Sequence, residues 1–275
     1  MNSARAERLF ASDGRTVIVA LDHALGSGQV EPLDRPAALL ERILAGEPDG
    51  LILSRGMLKL VPPKYAGRRW LTADYYATSV LPGEEGGLEL QECLWDAFDA
   101  RAAGADGLKA LLVFGRSDPE LHCRNLRYLA RLIAGAQEAE LGVMIEAVLW
   151  GPQIPDDRRA EARWVANAAR VAFELGADVI KIPMPDDAGA LERLAGAIPV
   201  PLVLMGGPAG DPMRLFEALR VALDAGVRGV ALGRNVWQHP DPTAITRALS
   251  ALVHQNATPR EAFDIVRAPT VGGLT

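Results

Sequence analysis

Short, β-branched apolar runs alternate with longer stretches in which apolar residues recur at helical spacing, and the alternation persists from one end of the chain to the other. The runs predict strands at 16–21, 50–54, 70–73, 107–114, 142–149, 178–182, 200–205 and 229–232. Helical spacing predicts helices at 35–45, 57–65, 88–103, 119–138, 158–175, 187–197, 211–225 and 242–256. The strands are apolar on both sides, as expected when helices cover one face and a packed interior fills the other. Strand–helix units recurring in this way through 275 residues predict an α/β fold, a single (β/α)8 TIM barrel spanning 1–275. Gly104-Ala105-Asp106-Gly107, Gly176-Ala177-Asp178 and Gly226-Val227-Arg228-Gly229 each stand where a helix must stop before a strand begins. The rival fold, a doubly wound open sheet, is expected to carry a glycine-rich dinucleotide turn after its first strand. Asp22-His23-Ala24-Leu25-Gly26-Ser27-Gly28 lacks that spacing.

Composition narrows the function classes. With 49% hydrophobic and 23% charged residues, the chain has the makeup of a globular protein with a sizeable core. A net charge of -6 argues against nucleic acid or an anionic membrane as the main partner. Residues 1–8 lack the apolar core of a signal peptide, and no run of apolar residues is long enough to span a bilayer, which predicts a cytoplasmic protein. Cys93 and Cys123 have no C-x-x-C neighbour and predict buried, reduced thiols rather than a disulfide or a zinc site.

In such a barrel the chemistry belongs at the C-terminal ends of the strands, where charged residues are few. Lys181 ends the run Ala177-Asp178-Val179-Ile180, with Pro183 and Pro185 close behind. Apolar surroundings disfavour an ammonium and favour the free amine, the nucleophile of Schiff-base chemistry; the plainer alternative is a lysine reaching from a strand end to solvent. Lys109 stands inside the apolar run 108–113 and Glu146 inside 143–148, while Asp22-His23 follow the first strand and Ser54-Arg55 the second. A charge desolvated in such a strand costs several kcal/mol unless a partner compensates it. Either these groups form a buried ion-pair network, or Asp22, Lys109, Glu146 and Lys181 converge on one cavity, with two carboxylates and one ammonium around a second amine. His122, His239 and His254 are scattered and, with His23, do not form the three-histidine cluster of a zinc enzyme; no metal and no cofactor is predicted.

After the seventh and eighth strands, Gly206-Gly207 and Gly233-Arg234 offer close backbone approach and a guanidinium, and 235–238 fits the start of a short helix. Loops at these two places with an extra helix N-terminus form the usual phosphate site of such barrels, although the same glycines also suit plain turns. A phosphorylated small molecule is therefore the expected partner. Arg55, with Arg68 and Arg69, is a candidate for a second phosphate or a carboxylate.

Together these residues resemble the class I, Schiff-base aldolases of the DeoC/LacD superfamily. Ala20-Leu21-Asp22-His23, Asp178-Val179-Ile180-Lys181-Ile182-Pro183, Met205-Gly206-Gly207-Pro208 and the stretch from Ala231 to His239 resemble the archaeal-type fructose-bisphosphate aldolases. Gly104-Ala105-Asp106-Gly107-Leu108-Lys109 and Ile145-Glu146 are similar to the tagatose-bisphosphate aldolase branch. The resemblance covers 16–242. It implies metal-independent aldol and retro-aldol chemistry on a phosphorylated ketose or keto-acid, of the fructose or tagatose bisphosphate kind, giving dihydroxyacetone phosphate and an aldehyde. It makes Lys181 the nucleophile and gives Asp22 proton transfer at the hydroxyl whose deprotonation breaks the carbon–carbon bond. Glu146 becomes acid and base for carbinolamine dehydration, and Lys109 the cation that disfavours a second charge beside it while contacting the substrate. His23 becomes a hydrogen-bonding neighbour.

Other readings use the same lysine. They are an aldolase for a deoxy-keto-acid phosphate or a sulfosugar phosphate, a transaldolase- or thiolase-like transferase, and a sugar-phosphate-binding barrel without catalysis; assembly into a homo-oligomer is left open. Two positions depart from the archaeal branch. Trp150-Gly151-Pro152 occupies the region where that branch has a proton-donating tyrosine, and an indole cannot do that work. The proton would then come from Glu146 or a bound water. Met205 stands where a serine usually precedes the two glycines, which removes one hydroxyl from the phosphate site.

Overall fold

The computed structural model describes residues 4–84 and 86–268. Strands β1 (Thr16–Ala20), β2 (Gly50–Leu53) and β3 (Arg68–Thr72) begin a parallel barrel. An antiparallel hairpin follows, made of β4 (Asp74–Ala77) and β5 (Leu90–Cys93). The barrel then continues through β6 (Gly107–Val113), β7 (Gly142–Val148), β8 (Val179–Ile182), β9 (Leu202–Met205) and β10 (Gly229–Leu232), which closes onto β1. All eight predicted strands are present, and the fold is a (β/α)8 barrel.

The two faces of each strand explain the two-sided apolar pattern. Ile18, Ala20, Ile52, Trp70, Met144, Val179, Val203 and Ala231 form one cluster inside the barrel, with Leu9 packed against them. The alternate residues, such as Val19, Leu51, Leu71, Ile145 and Ile180, pack with the surrounding helices. Successive inward positions are two residues apart. Two residues beyond Ala20, Trp70, Met144 and Val179 stand Asp22, Thr72, Glu146 and Lys181. The apolar interior therefore gives way to a polar layer at the C-terminal mouth. Register sets Thr72 beside Lys109 and Glu146 beside Lys181.

The differences from the predicted elements lie mainly in the loops on this mouth. Residues 88–103 were expected to be one helix, but 90–93 pair with β4, and the helix is only Ala97–Ala102. The break is made by Asp96, which caps the helix by accepting from Asp99 N while Asp99 Oδ2 accepts from Asp96 N. The helix expected at 57–65 is the short Arg55–Leu58, cut off ahead of Pro62-Pro63. Pro119–Glu138 matches its prediction, whereas Pro259–Arg267, capped by Thr258 and Glu261, was not anticipated. Cys93 and Cys123 are free thiols as expected, but exposed rather than buried. Among the described residues, no helix is long and apolar enough to cross a membrane. The reading of 1–8 and the 1–275 span include residues 1–3, 85 and 269–275, which lie outside the described residues.

At the N-terminal end of the barrel, His254 at the close of helix Pro242–His254 sits between two carboxylates, 2.8 Å from Asp13 Oδ2 and 2.8 Å from Asp49 Oδ2. Asp49 Oδ2 also accepts from Val17 N at 2.6 Å, so the clasp ties a helix end to β1. The Asp49 hydrogen bond, opposed by burial and helped by Asp13, pushes the imidazole up to about 9. A raised folded value means that the stabilisation is complete below the unfolded value of about 6.5 and disappears as pH rises through about 9. We predict that chemical denaturation of the wild type shows stability falling by roughly 2 kcal/mol across that window, and that His254→Gln abolishes most of this slope.

Candidate active site

Four buried side chains and the partly buried Asp22 form one continuous polar chain across the barrel mouth. Thr72 Oγ1 donates to Asp22 Oδ2 at 2.6 Å, and Lys109 Nζ donates to the same oxygen at 3.2 Å. Lys109 Nζ also lies 3.0 Å from Glu146 Oε2, and Lys181 Nζ lies 2.8 Å from Glu146 Oε1. Lys109, Glu146 and Lys181 are each 5% exposed or less, so these pairs act where water screens them little. Charge alternates along the chain, and each carboxylate oxygen facing an ammonium lies within 3.2 Å of its nitrogen.

The electrostatics follow from that alternation. Burial alone would raise the Asp22 carboxyl, but Lys109, His23 and Lys181 outweigh it and hold the group well below the usual carboxylate range. Burial opposes the charge on Glu146 too, and the two lysines again win, leaving it lowered. For Lys109, burial would favour the free amine, yet Asp22, Glu146 and Asp74 raise it well above an ordinary lysine. Lys109 is therefore a fixed cation, and both carboxylates beside it are ionised.

Above this chain lies an open cavity of about 420 Å³. Asp22, Lys109, Glu146 and Lys181 line its floor, and Gly206, Gly207, Gly233 and Arg234 line one side. Two of those glycines are required by close packing: a Cβ on Gly206 would collide with Asn235 Oδ1, and one on Gly233 with the His23 ring, whereas a Cβ on Gly207 would meet nothing. His23 packs edge-on to Trp237, with ring centroids 5.3 Å apart, and Gly233 opens the short helix Arg234–Trp237. Met205 and Trp150 also line the cavity.

Arg55 is not brought to the cavity. Its guanidinium stacks 4.4 Å over Trp95 and lies 3.7 Å from Asp99. Arg69 donates to the carbonyls of Pro62 and Tyr65, and Arg68 opens β3 at the opposite end of the barrel. The anion site suggested on these three arginines is not formed at the mouth, because strand direction and the short helix Arg55–Leu58 point them elsewhere. The residues that sequence reasoning missed come from β3 and the hairpin: Thr72, Asp74, Tyr76, Thr78, Ser79 and Glu84 all line the cavity. Asp74 was legible as an acidic residue one position past the third predicted strand.

A family model described as "DeoC/LacD family aldolase" matches residues 16–239. The chain belongs to the DeoC/LacD aldolase family. This aldolase is 32% identical over 261 residues to the 2-amino-4,5-dihydroxy-6-oxo-7-(phosphonooxy)heptanoate synthase of Streptomyces griseus, covering 93% of this chain and 91% of the relative. It is 30% identical over 264 residues to the class 1 fructose-bisphosphate aldolase of Halobacterium salinarum, covering 92% and 96%. Among solved structures it resembles an archaeal fructose-1,6-bisphosphate aldolase whose catalytic lysine is covalently bound to the carbinolamine intermediate. The TM-score there is 0.79 at 25% identity, covering 90% of this chain and 98% of the other. The protein is thus a carbon–carbon lyase of the class I, Schiff-base type.

Removing the shared cation should be costly for this aldolase. Lys109→Met leaves Asp22 and Glu146 buried without their main counter-ion, and we expect a loss of about 3–5 kcal/mol in denaturant unfolding at neutral pH. The gap to wild type should narrow in acid, where protonation removes the repulsion that Lys109 had cancelled.

Proposed function

We propose that Lys181 is the Schiff-base nucleophile and that the substrate is a ketose carrying one phosphate, cleaved to dihydroxyacetone phosphate and an unphosphorylated aldehyde. The observation that carries this reading is the unequal treatment of the two buried lysines. Lys109 is claimed by two carboxylates and stays charged, whereas Lys181 touches one oxygen of Glu146 at the cavity floor. An amine must give up its proton before it can attack a carbonyl, and Glu146 is placed to take it. After attack, Glu146 returns the proton to the carbinolamine hydroxyl, which leaves as water and gives the iminium. Asp22 then takes the proton of the hydroxyl two carbons from the iminium. The electron pair of the breaking carbon–carbon bond flows into the iminium, and the aldehyde departs from an enamine on Lys181.

The glycine side of the cavity suits the phosphate, with Arg234 at its rim. The groups on the opposite side argue for a single phosphate: Ser27, Thr78, Ser79 and Glu84 offer hydroxyls and a carboxylate. Among the described residues, Lys109, Lys181 and Arg234 are the only lysines or arginines lining the cavity. A fructose or tagatose bisphosphate would set its second phosphate near Glu84. The Streptomyces griseus relative is likewise named for a compound with one phosphonooxy group.

Treating the protein with dihydroxyacetone phosphate and borohydride, then mapping peptides by mass, tests the nucleophile. We expect a phosphate-bearing adduct on Lys181 that Lys181→Met lacks; an adduct on Lys109 would reverse the roles. A panel of ketose monophosphates and bisphosphates tests the substrate class. The best monophosphate should exceed fructose and tagatose bisphosphate in kcat/KM by about tenfold or more, and preference for a bisphosphate would refute the single-phosphate reading.

A further inference from the structure

The mechanism above leaves one proton without a carrier. After the aldehyde departs, the enamine carbon must gain a proton; Glu146 is held ionised by the lysines, and Asp22, whose carboxylate Lys109 favours strongly, passes the hydroxyl proton it has taken on to solvent. Trp150, at the cavity wall, has no suitable proton to give. The hairpin that follows β3 brings one more carboxyl to this wall. Asp74 is 2% exposed and lines the cavity beside Lys109 and Leu111.

We propose that Asp74 is a further catalytic residue, whose carboxyl gives its proton to the enamine carbon and takes it back in the synthetic direction. This assignment rests on the Schiff-base reading of Lys181. In the step, the enamine double bond supplies the electron pair for the new carbon–hydrogen bond. The Asp74 O–H breaks, the carboxyl becomes a carboxylate, and the nitrogen of Lys181 returns to the iminium. Water then hydrolyses the iminium, and a solvent proton restores the Asp74 acid.

The hydrogen bonds of Asp74 are lopsided in a way that suits this work. Oδ2 accepts from Leu111 N at 2.9 Å and from Gln91 Nε2 at 2.7 Å. Oδ1 is buried and has no hydrogen-bond partner among the described residues. A buried carboxylate oxygen without a donor is costly, whereas a proton on that oxygen removes the charge and turns it into a donor. The arrangement is itself braced: Arg116 Nη2 donates to Gln91 Oε1, which turns the amide NH2 of Gln91 toward Asp74.

The charges around Asp74 pull in both directions. Burial raises the carboxyl, Lys109 and the two hydrogen bonds lower it, and Glu146 raises it, with the result pushed up to about 6. Arg116, Cys93 and Tyr128 are its remaining ionisable neighbours. A group titrating there can both give and accept a proton near neutral pH, which favours general acid–base work. Tyr76 on the same hairpin is the competing donor. Burial raises its phenol, and its charged neighbours are Arg116, Glu89 and Arg159, none of which lines the cavity.

The test uses dihydroxyacetone phosphate in D2O, which isolates proton exchange at the carbon from bond cleavage. Proton NMR should show the wild type exchanging one hydrogen beside the carbonyl, with a rate that responds to an ionisation near pH 6. Asp74→Asn keeps an oxygen to accept from Leu111 and Gln91. It should exchange about 100-fold more slowly or worse, lose that ionisation, and still give the borohydride adduct on Lys181. Asp74→Glu should restore part of the exchange, and Tyr76→Phe should leave it nearly unchanged. Exchange by Asp74→Asn within about threefold of wild type, or a loss seen in Tyr76→Phe instead, would overturn the proposal. A wild type that forms no adduct would refute the Schiff-base reading and Asp74 with it. That outcome is distinct from an adduct-forming wild type whose exchange ignores Asp74.

Discussion

A single ammonium, that of Lys109, bridges two carboxylates inside the barrel mouth, and the rest of the site is arranged around it. Without that cation, Asp22 and Glu146 would be like charges in a poorly hydrated space, and both would tend to bind protons. With it, both are ionised, and Glu146 presents its second oxygen to Lys181 at 2.8 Å. The network is therefore more than a structural brace. It sets two chemically identical amines in different settings, Lys109 between two carboxylates and Lys181 against one.

The barrel makes this arrangement affordable in a specific way. Hydrophobic packing of Ile18, Trp70, Met144, Val179 and Val203 fixes the strands, and the polar layer is simply the next inward position on several of them. Because Glu146 and Lys181 face each other in strand register, their contact is set by backbone pairing rather than by flexible loops. Loops supply the parts that distinguish substrates. The glycines after β9 and β10 line the cavity, and the hairpin adds hydroxyls, Glu84 and Asp74 to its lining.

How much of this was legible in the sequence follows from which forces are local. The two-sided apolar runs revealed all the barrel strands, since burial on both faces leaves no polar alternation. Lys109, Glu146 and Lys181 stood out because charges inside such runs require partners, and the structure brings them together with Asp22. The hairpin was misread because residues 88–103 have helical spacing, while the pairing of β5 with β4 is a contact across more than a loop. Asp74 was overlooked for the same reason: its importance depends on where the hairpin folds back. Arg55 was a fair candidate by position, but its stacking on Trp95 is a tertiary contact that no local pattern announces.

The most direct measurement is a crystal structure of the protein after reaction with dihydroxyacetone phosphate and borohydride. The account predicts continuous electron density from Lys181 Nζ into the substrate carbon, with Lys109 still bridging Asp22 and Glu146, and the phosphate against Gly206, Gly207, Gly233 and Arg234. Density continuous with Lys109, or a phosphate bound at the hairpin side near Glu84, would contradict it.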